Sequence, residues 1–113
     1  MDAAKLKEFR ETLHTLAAQI SAADAETEGE RAPVELDQQT VGRLSRMDAL
    51  QVQAMALETS RRRGVELRRI ATALARIDEG EYGYCLECGE EIAVRRLELA
   101  PASPLCIGCA SGK

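Results

Sequence analysis

Four cysteines carry the clearest chemistry in this chain. Cys85, Cys88, Cys106 and Cys109 fall in the stretch YCLECGEEIAVRRLELAPASPLCIGCA, a C-x2-C-x17-C-x2-C pattern. Two residues between paired cysteines let one tight turn aim both sulfurs at a single ion. Two such turns, brought together by the loop between them, complete a tetrahedron. That is the spacing and ligand set of a four-cysteine zinc site. One Zn2+ held by four thiolates has no open coordination position, so the ion is expected to be structural rather than catalytic. It substitutes for the core that so short a module lacks. Gly89 and Gly108 suit positions that need positive φ or close backbone approach. Arg95 and Arg96 are placed to offset part of the thiolate charge. The competing use of C-x-x-C, thiol redox chemistry, expects a thioredoxin-like βαβ pattern, and neither pair sits in one. Between the pairs, EEIAVRRLELAP is expected to form one or two short strands or turns.

The rest of the chain must position this module. The 113 residues include one Phe, two Tyr and no Trp. Aromatics usually supply much of a compact core, so their scarcity beside abundant Ala, Leu, Arg and Glu points to helical packing. Leu6, Phe9, Leu13, Leu16 and Ile20 step by 3, 4, 3 and 4. That is a coiled-coil seam, and it requires a partner helix. Asp2 is placed to cap its start. His14, the single histidine, lies beside the seam and reads as a solvated helix residue.

A second, longer helix is expected after Pro33. Asp37 suits its N-cap, and Leu36 and Val41 suit a hydrophobic staple. Apolar or small residues recur at Leu44, Met47, Leu50, Ala54 and Leu57, lapse at Arg61 and Gly64, and resume at Leu67, Ile70, Leu74 and Ile77. Every step is three or four, which reads as one long helical face. Gly80 supplies the left-handed stop.

The expected fold is therefore mainly α: an antiparallel two-helix coiled-coil hairpin followed by a small C-terminal four-Cys zinc finger. Residues 1–80 form the hairpin, with helices over about 2–26 and 37–79 and a tip over about 27–36. Residues 81–113 form the finger, a terminal knob on the hairpin. The first helix is expected to pair with the earlier part of the second, leaving the remainder to pack on the finger.

Charge is polarised along the chain. From Asp24 to Asp37 there are six acidic residues and one basic residue, Arg31. From Arg61 to Arg69, RRRGVELRR holds five arginines and one glutamate. The net charge of −4 counts against a dedicated nucleic-acid binder. No stretch is apolar enough to span a membrane and no secretory signal opens the chain, so a cytoplasmic protein is expected. An enzyme is not: no nucleophile sits beside a base, and His14 has no evident partner.

GYCLECGEEI…RRLELAPASPLCIGC closely resembles the finger of the DksA/TraR family: Gly-Tyr-Cys-x-x-Cys-Gly, an Ile three residues on, Arg-Leu, Pro, then Cys-x-x-Cys. The resemblance covers the last third of the chain strongly and extends less specifically through RRIATALARIDEGEYGY and the hairpin. It implies a bacterial transcription regulator that binds RNA polymerase directly, not a sequence-specific DNA site, and acts as a monomer. The hairpin enters the secondary channel with its tip near the catalytic Mg2+, often acting together with the alarmone ppGpp. On that reading Asp37 and Glu35 are the polymerase-binding tip acids. Arg61, Arg62, Arg63, Arg68 and Arg69 are the basic face at the channel rim.

The family's tip pattern, Asp-x-x-Asp-x-Ala, is not intact. With Asp37 as the second Asp, Val34 occupies the first position and Gln39 the Ala position. An alternative registration places the tip at SRMDAL, where Asp48 and Ala49 are adjacent, but Leu44, Met47 and Leu50 continue a helical stripe there. Two other functions compete: a zinc-ribbon nucleic-acid binder using RRRGVELRR, and a coiled-coil adaptor acting through its seam.

Overall fold

The computed structural model describes residues 1–32 and 43–112, with side chains from residue 46 in the second part. Helix α1 spans Ala3–Glu26. A 3₁₀ turn follows over Glu28–Arg31, and α2 runs over Arg43–Glu79. Two short helices, α3 (Val94–Leu99) and α4 (Ile107–Ala110), lie in the cysteine module. Among the described residues no helix is long and apolar enough to cross a membrane.

The caps form where their residue types predict. The Asp2 side chain accepts a hydrogen bond from the Lys5 N–H at 2.7 Å and starts α1. At the same end of the hairpin, Gly80 has φ +76° and stops α2. The N–H groups of Glu81 and Tyr82 both donate to the Arg76 carbonyl, at 2.8 and 3.1 Å. This is a left-handed helix stop that turns the chain into the cysteine module. His14 is exposed on α1. The Asp37 cap, the Leu36–Val41 staple and the tip registration of Asp37 and Glu35 lie outside the described residues. Asp48 and Ala49, the alternative tip, are inside α2.

The pairing of the two helices differs from the sequence expectation. Arg10 Nη2 meets Asp78 Oδ1 at 2.7 Å at one end of the contact. At the other, Arg63 Nη1 donates to Thr27 Oγ1 at 2.8 Å. Helix α1 therefore lies against the later part of α2, not the earlier. The reason is where apolar surface exists. Phe9 and Leu13 need buried partners, and Ile70, Ala73 and Ile77 supply them. The corresponding face of α2 nearer its start presents Thr59 and Arg63 instead.

The earlier part of α2 extends beyond α1 and runs beside the 3₁₀ turn. Gln53 Nε2 donates to the Ala32 carbonyl at 2.7 Å. A polar knot holds this region. Asp24 Oδ1 accepts from Arg31 Nη1 at 3.2 Å and from Arg63 Nη1 at 3.4 Å, and Arg31 Nη1 also reaches the Asp24 carbonyl at 3.0 Å. A hydrogen bond from Ser60, helped by both arginines, holds the Asp24 carboxyl below the usual carboxylate range. Glu30 shares a surface groove with Val52 and Met55. The stretch Asp24–Glu30 thus flanks the middle of α2, from about Val52 to Arg63.

Nor does α2 carry a single apolar face. At 3.6 residues per turn, the ten residues from Leu57 to Leu67 fall short of three turns by about 80°. Further steps of three rotate the stripe again. Ile70, Ala73 and Ile77 are buried against α1, while Met47, Leu50 and Leu57 are exposed. The two groups lie roughly half a turn apart around the helix.

Helix α2 continues through Gly64, where an added Cβ would meet only Arg68 Nη1, at 3.6 Å. Ala costs less backbone entropy than Gly in a helix interior. Gly64→Ala is expected to stabilise the fold by about 1 kcal/mol, read as a higher melting temperature by circular dichroism.

Candidate metal centre

The sulfurs of Cys85, Cys88, Cys106 and Cys109 converge, all lying within 4.8 Å of one another. Four thiolates at about 2.3 Å from a central zinc define a tetrahedron with S···S edges of about 3.8 Å. Cys88 Sγ and Cys106 Sγ stand 3.7 Å apart. The cage has the ligand type, number and size that suit such an ion.

Each pair sits on a tight turn. The Gly89 N–H donates to the Cys85 carbonyl at 3.0 Å, and the Ala110 N–H to the Cys106 carbonyl at 2.9 Å. Gly89 has φ +74°, so its place after the first pair depends on lacking a Cβ. Gly108 belongs to α4, where a Cβ would approach Cys106 Sγ to 4.0 Å. That is ordinary van der Waals contact, so neither close approach nor a left-handed turn requires glycine there. The two turns are tied by a bond of 2.9 Å from the Leu86 N–H to the Pro104 carbonyl. Arg96 Nε donates to the Leu105 carbonyl at 3.1 Å and anchors the second turn from α3.

One isolated bridge joins Tyr84, just before the first cysteine pair, to Glu91, just after it. The segment expected as strand or turn otherwise forms α3. Leu97 is the reason: α3 brings it to complete burial against the hairpin.

The thiols do not share one environment. Backbone N–H groups of Cys88 and then Cys106 hold the Cys85 thiol down at about 6. The Cys109 thiol is pushed strongly upward, first by Cys106 and then by Cys85. Cys88 also rises: burial and the neighbouring thiols outweigh the pull of the Glu90 N–H. Four sulfurs this close resist carrying four negative charges by themselves. A divalent cation relieves that conflict.

The cage is seated on the hairpin through one shared core. Phe9 and Leu13 of α1, Ile70, Ala73 and Ile77 of α2, and Tyr82, Cys85, Ile92 and Leu97 of the module belong to the same buried cluster. The Phe9 and Tyr82 rings are 5.5 Å apart at 54°. Lys5 Nζ reaches Glu98 Oε1 on α3 at 3.0 Å. Arg76 Nη2 donates to the carbonyls of Glu81 and Tyr84, bracing the link from α2. Sequence reading missed Phe9 and Tyr82 as the hinge of this core. Their rarity was the available signal, since two of the three aromatics are buried where elements meet, while Tyr84 is exposed.

The Tyr82 hydroxyl donates to the Pro101 carbonyl at 2.8 Å. Burial pushes its ionisation up to about 12. An unfolded phenol ionises near 10. Stability from this group is intact below pH 10 and is lost as pH rises from about 10 towards about 12. Tyrosinate absorbance should show one phenol titrating late, and Tyr82→Phe should abolish that phase.

The basic residues divide. Arg61 meets Glu58 with two bonds, at 2.9 and 2.8 Å, and Arg62 shares that carboxylate at 3.1 Å. Together they hold Glu58 at about 2, Arg61 first. Arg68 and Arg69 are exposed near the module. Arg63 is directed into the Asp24 knot.

A helical hairpin whose base is built jointly with a four-cysteine finger defines the class of protein. Residues 80–113 match the prokaryotic dksA/traR C4-type zinc finger. The chain is 46% identical over 43 residues to the RNA polymerase-binding transcription factor DksA of Haemophilus influenzae, covering 38% of this chain and 30% of that protein. The match thus spans under a third of that relative's length. The fold is similar over a much longer stretch. Transcription factor DksA2 from Pseudomonas aeruginosa superposes with a TM-score of 0.76 at 28% identity, covering 98% of this chain and 84% of that one. The DnaK suppressor protein from Agrobacterium tumefaciens superposes with a TM-score of 0.57 at 26% identity, over 95% and 92%.

Proposed function

We propose that this chain regulates transcription by binding RNA polymerase directly, with the hairpin in the secondary channel and its far end directed at the active centre. The observation that carries this reading is the likeness to transcription factor DksA2 along almost the whole chain, hairpin and finger together. The name of the Haemophilus relative supplies the partner. In this reading the protein is a monomer in the cytoplasm, binds polymerase one to one, and performs no catalytic step.

Each part has a role that follows from its chemistry. Cys85, Cys88, Cys106 and Cys109 hold one Zn2+, which supplies fold rather than reactivity. Asp37 is the working tip acid, with Glu35 beside it. Arg68 and Arg69, with Arg61 and Arg62 behind them, face the channel rim. Arg63 is removed from that set because it serves the Asp24 knot.

The test is transcription in vitro from a ribosomal-type promoter, with and without ppGpp. Wild type is compared with Asp37→Ala, Asp37→Asn and Asp37→Ser. Ser retains a helix cap while removing the charge. The expected result is loss of the regulatory effect in Asn and Ser variants whose melting temperature is unchanged. Absence of polymerase binding at micromolar concentration, together with no competition against transcript-cleavage factors, would reject the proposal.

A further inference from the structure

The four thiols are alike in kind but not in access. Cys85 is buried, and it belongs to the core that the module shares with the hairpin. Cys106 and Cys109 are half-buried and pack against that core. Cys88 is exposed and belongs to neither group. The cage therefore has a core side at Cys85 and a solvent side at Cys88.

The solvent side has its own chemistry. Every residue from Leu86 to Glu91 is exposed. Gly89 follows Cys88 directly, and nothing lies within 4 Å of the place a Cβ would occupy there. Glu87, Glu90 and Glu91 flank Cys88, and the Glu90 N–H is directed at its sulfur. Among the described residues, none of these three carboxylates is paired with a cation. The loop of the second pair is Ile107 and Gly108 and carries no charge. Negative charge at the cage mouth is thus concentrated beside the most accessible thiol.

We infer that Cys88, with the carboxylates of Glu87, Glu90 and Glu91, is the exchange edge of the metal centre: the thiolate that binds zinc last, releases it first, and gives way when the ion passes to another ligand. This rests on the zinc centre of the proposed function and is independent of the polymerase. The reason is unequal freedom. For Cys85 to let go, its side chain must leave a core that holds Leu13, Ile70 and Leu97, all fully buried. Cys106 caps α4 and Cys109 lies within it, so moving either disturbs that turn. Cys88 needs only to rotate its own side chain into water. A shell of four thiolates is closed, so an incoming donor gains a place only as one thiolate leaves. The swap involves no oxidation. The incoming donor atom forms its bond to the ion as the bond from Cys88 Sγ breaks, and that sulfur takes up a proton from solvent. Unpaired carboxylates at the same mouth raise the local concentration of an arriving divalent cation.

The test uses the full-length, zinc-loaded protein. N-ethylmaleimide is added at less than one equivalent, and the alkylated thiols are located by peptide mass mapping. Most of the first label is expected on Cys88, with zinc passing to a chromophoric chelator in step with it. Separately, bound zinc is exchanged against an enriched zinc isotope in solution and followed by elemental mass spectrometry after gel filtration. A variant combining Glu87→Gln, Glu90→Gln and Glu91→Gln, with unchanged melting temperature, is expected to exchange about threefold more slowly at low salt and to match wild type at about 1 M salt. First label on Cys106 or Cys109, or label spread evenly over the four thiols, overturns the assignment to Cys88 and leaves the zinc centre standing. Equal exchange rates in wild type and the Gln variant at low salt overturn the part given to the carboxylates. A protein that takes up no zinc overturns the metal centre and this edge together.

Discussion

Cys106→Ser is expected to abolish stoichiometric zinc binding and to unfold residues 81–112 as a unit. Removing one thiolate leaves three donors around a cage sized for four. Zinc binding contributes on the order of 10 kcal/mol or more to folding in small zinc modules. The module has few other means of closing: two cysteine turns, one isolated bridge, a six-residue α3 and a four-residue α4. The loss should spread beyond the metal. Cys85, Ile92 and Leu97 lie in one buried cluster with Phe9, Leu13 and Ile70, so an unfolded module exposes the base of the hairpin. Colorimetric zinc release should therefore coincide with reduced helical circular dichroism and a lower melting temperature. A strong chelator applied to wild type should reproduce the effect, and added zinc should reverse it. A hairpin that keeps full helicity and melting temperature without metal would sink the claim of a shared core.

The second large effect is expected at Phe9. Phe9→Ala should destabilise the chain by about 3–5 kcal/mol, the range for deleting a buried aromatic side chain. Its ring touches Tyr82 of the finger, lies under Lys5 Nζ at 5.4 Å, and belongs to the cluster containing Ile70 and Ile77. One side chain thus joins three segments far apart in sequence. Phe9→Leu keeps much of the volume and loses the aromatic contact, so it should recover more than half of the loss. Chemical denaturation followed by helical signal and by zinc release would report both. If Phe9→Ala lowers stability by less than 1 kcal/mol, the finger is held on the hairpin by something other than this contact.

What could be read from the sequence was what depends on neighbours in the chain. The cysteine cage is set by two-residue spacings and two local turns, so Cys85, Cys88, Cys106 and Cys109 were recognisable before any coordinates. The Asp2 cap and the Gly80 stop are equally local. What escaped depends on which distant surfaces meet. Apolar spacing indicated that α1 needs a partner, yet it did not say which part of α2 provides one. Ile70, Ala73 and Ile77 won that role because the finger closes over the same place. Steps of three and four looked like one stripe, but their sum over Leu57 to Leu67 carries the row around the helix. Arg63 belonged by sequence to a basic run, and only the offset between the helices turned it towards Asp24. Helix α3 was missed because the burial of Leu97, a tertiary effect, outweighs the weak local preferences of a six-residue segment.

The joining of α1 to the finger also has a consequence in time. The residues that Phe9, Arg10 and Lys5 contact lie at Ile70, Asp78, Tyr82 and Glu98. A ribosome delivers the chain from its N-terminus, at roughly 5–20 residues per second. For most of that interval α1 has been made and its partners have not. Alone, α1 lacks the packing of its apolar face that supplies most of a helix's stability in a folded protein. The base of the molecule therefore closes only after the last cysteine has emerged. Its folding is gated by completion of the finger, and a chain whose finger has not closed displays its α1 seam to whatever chaperone or protease arrives first.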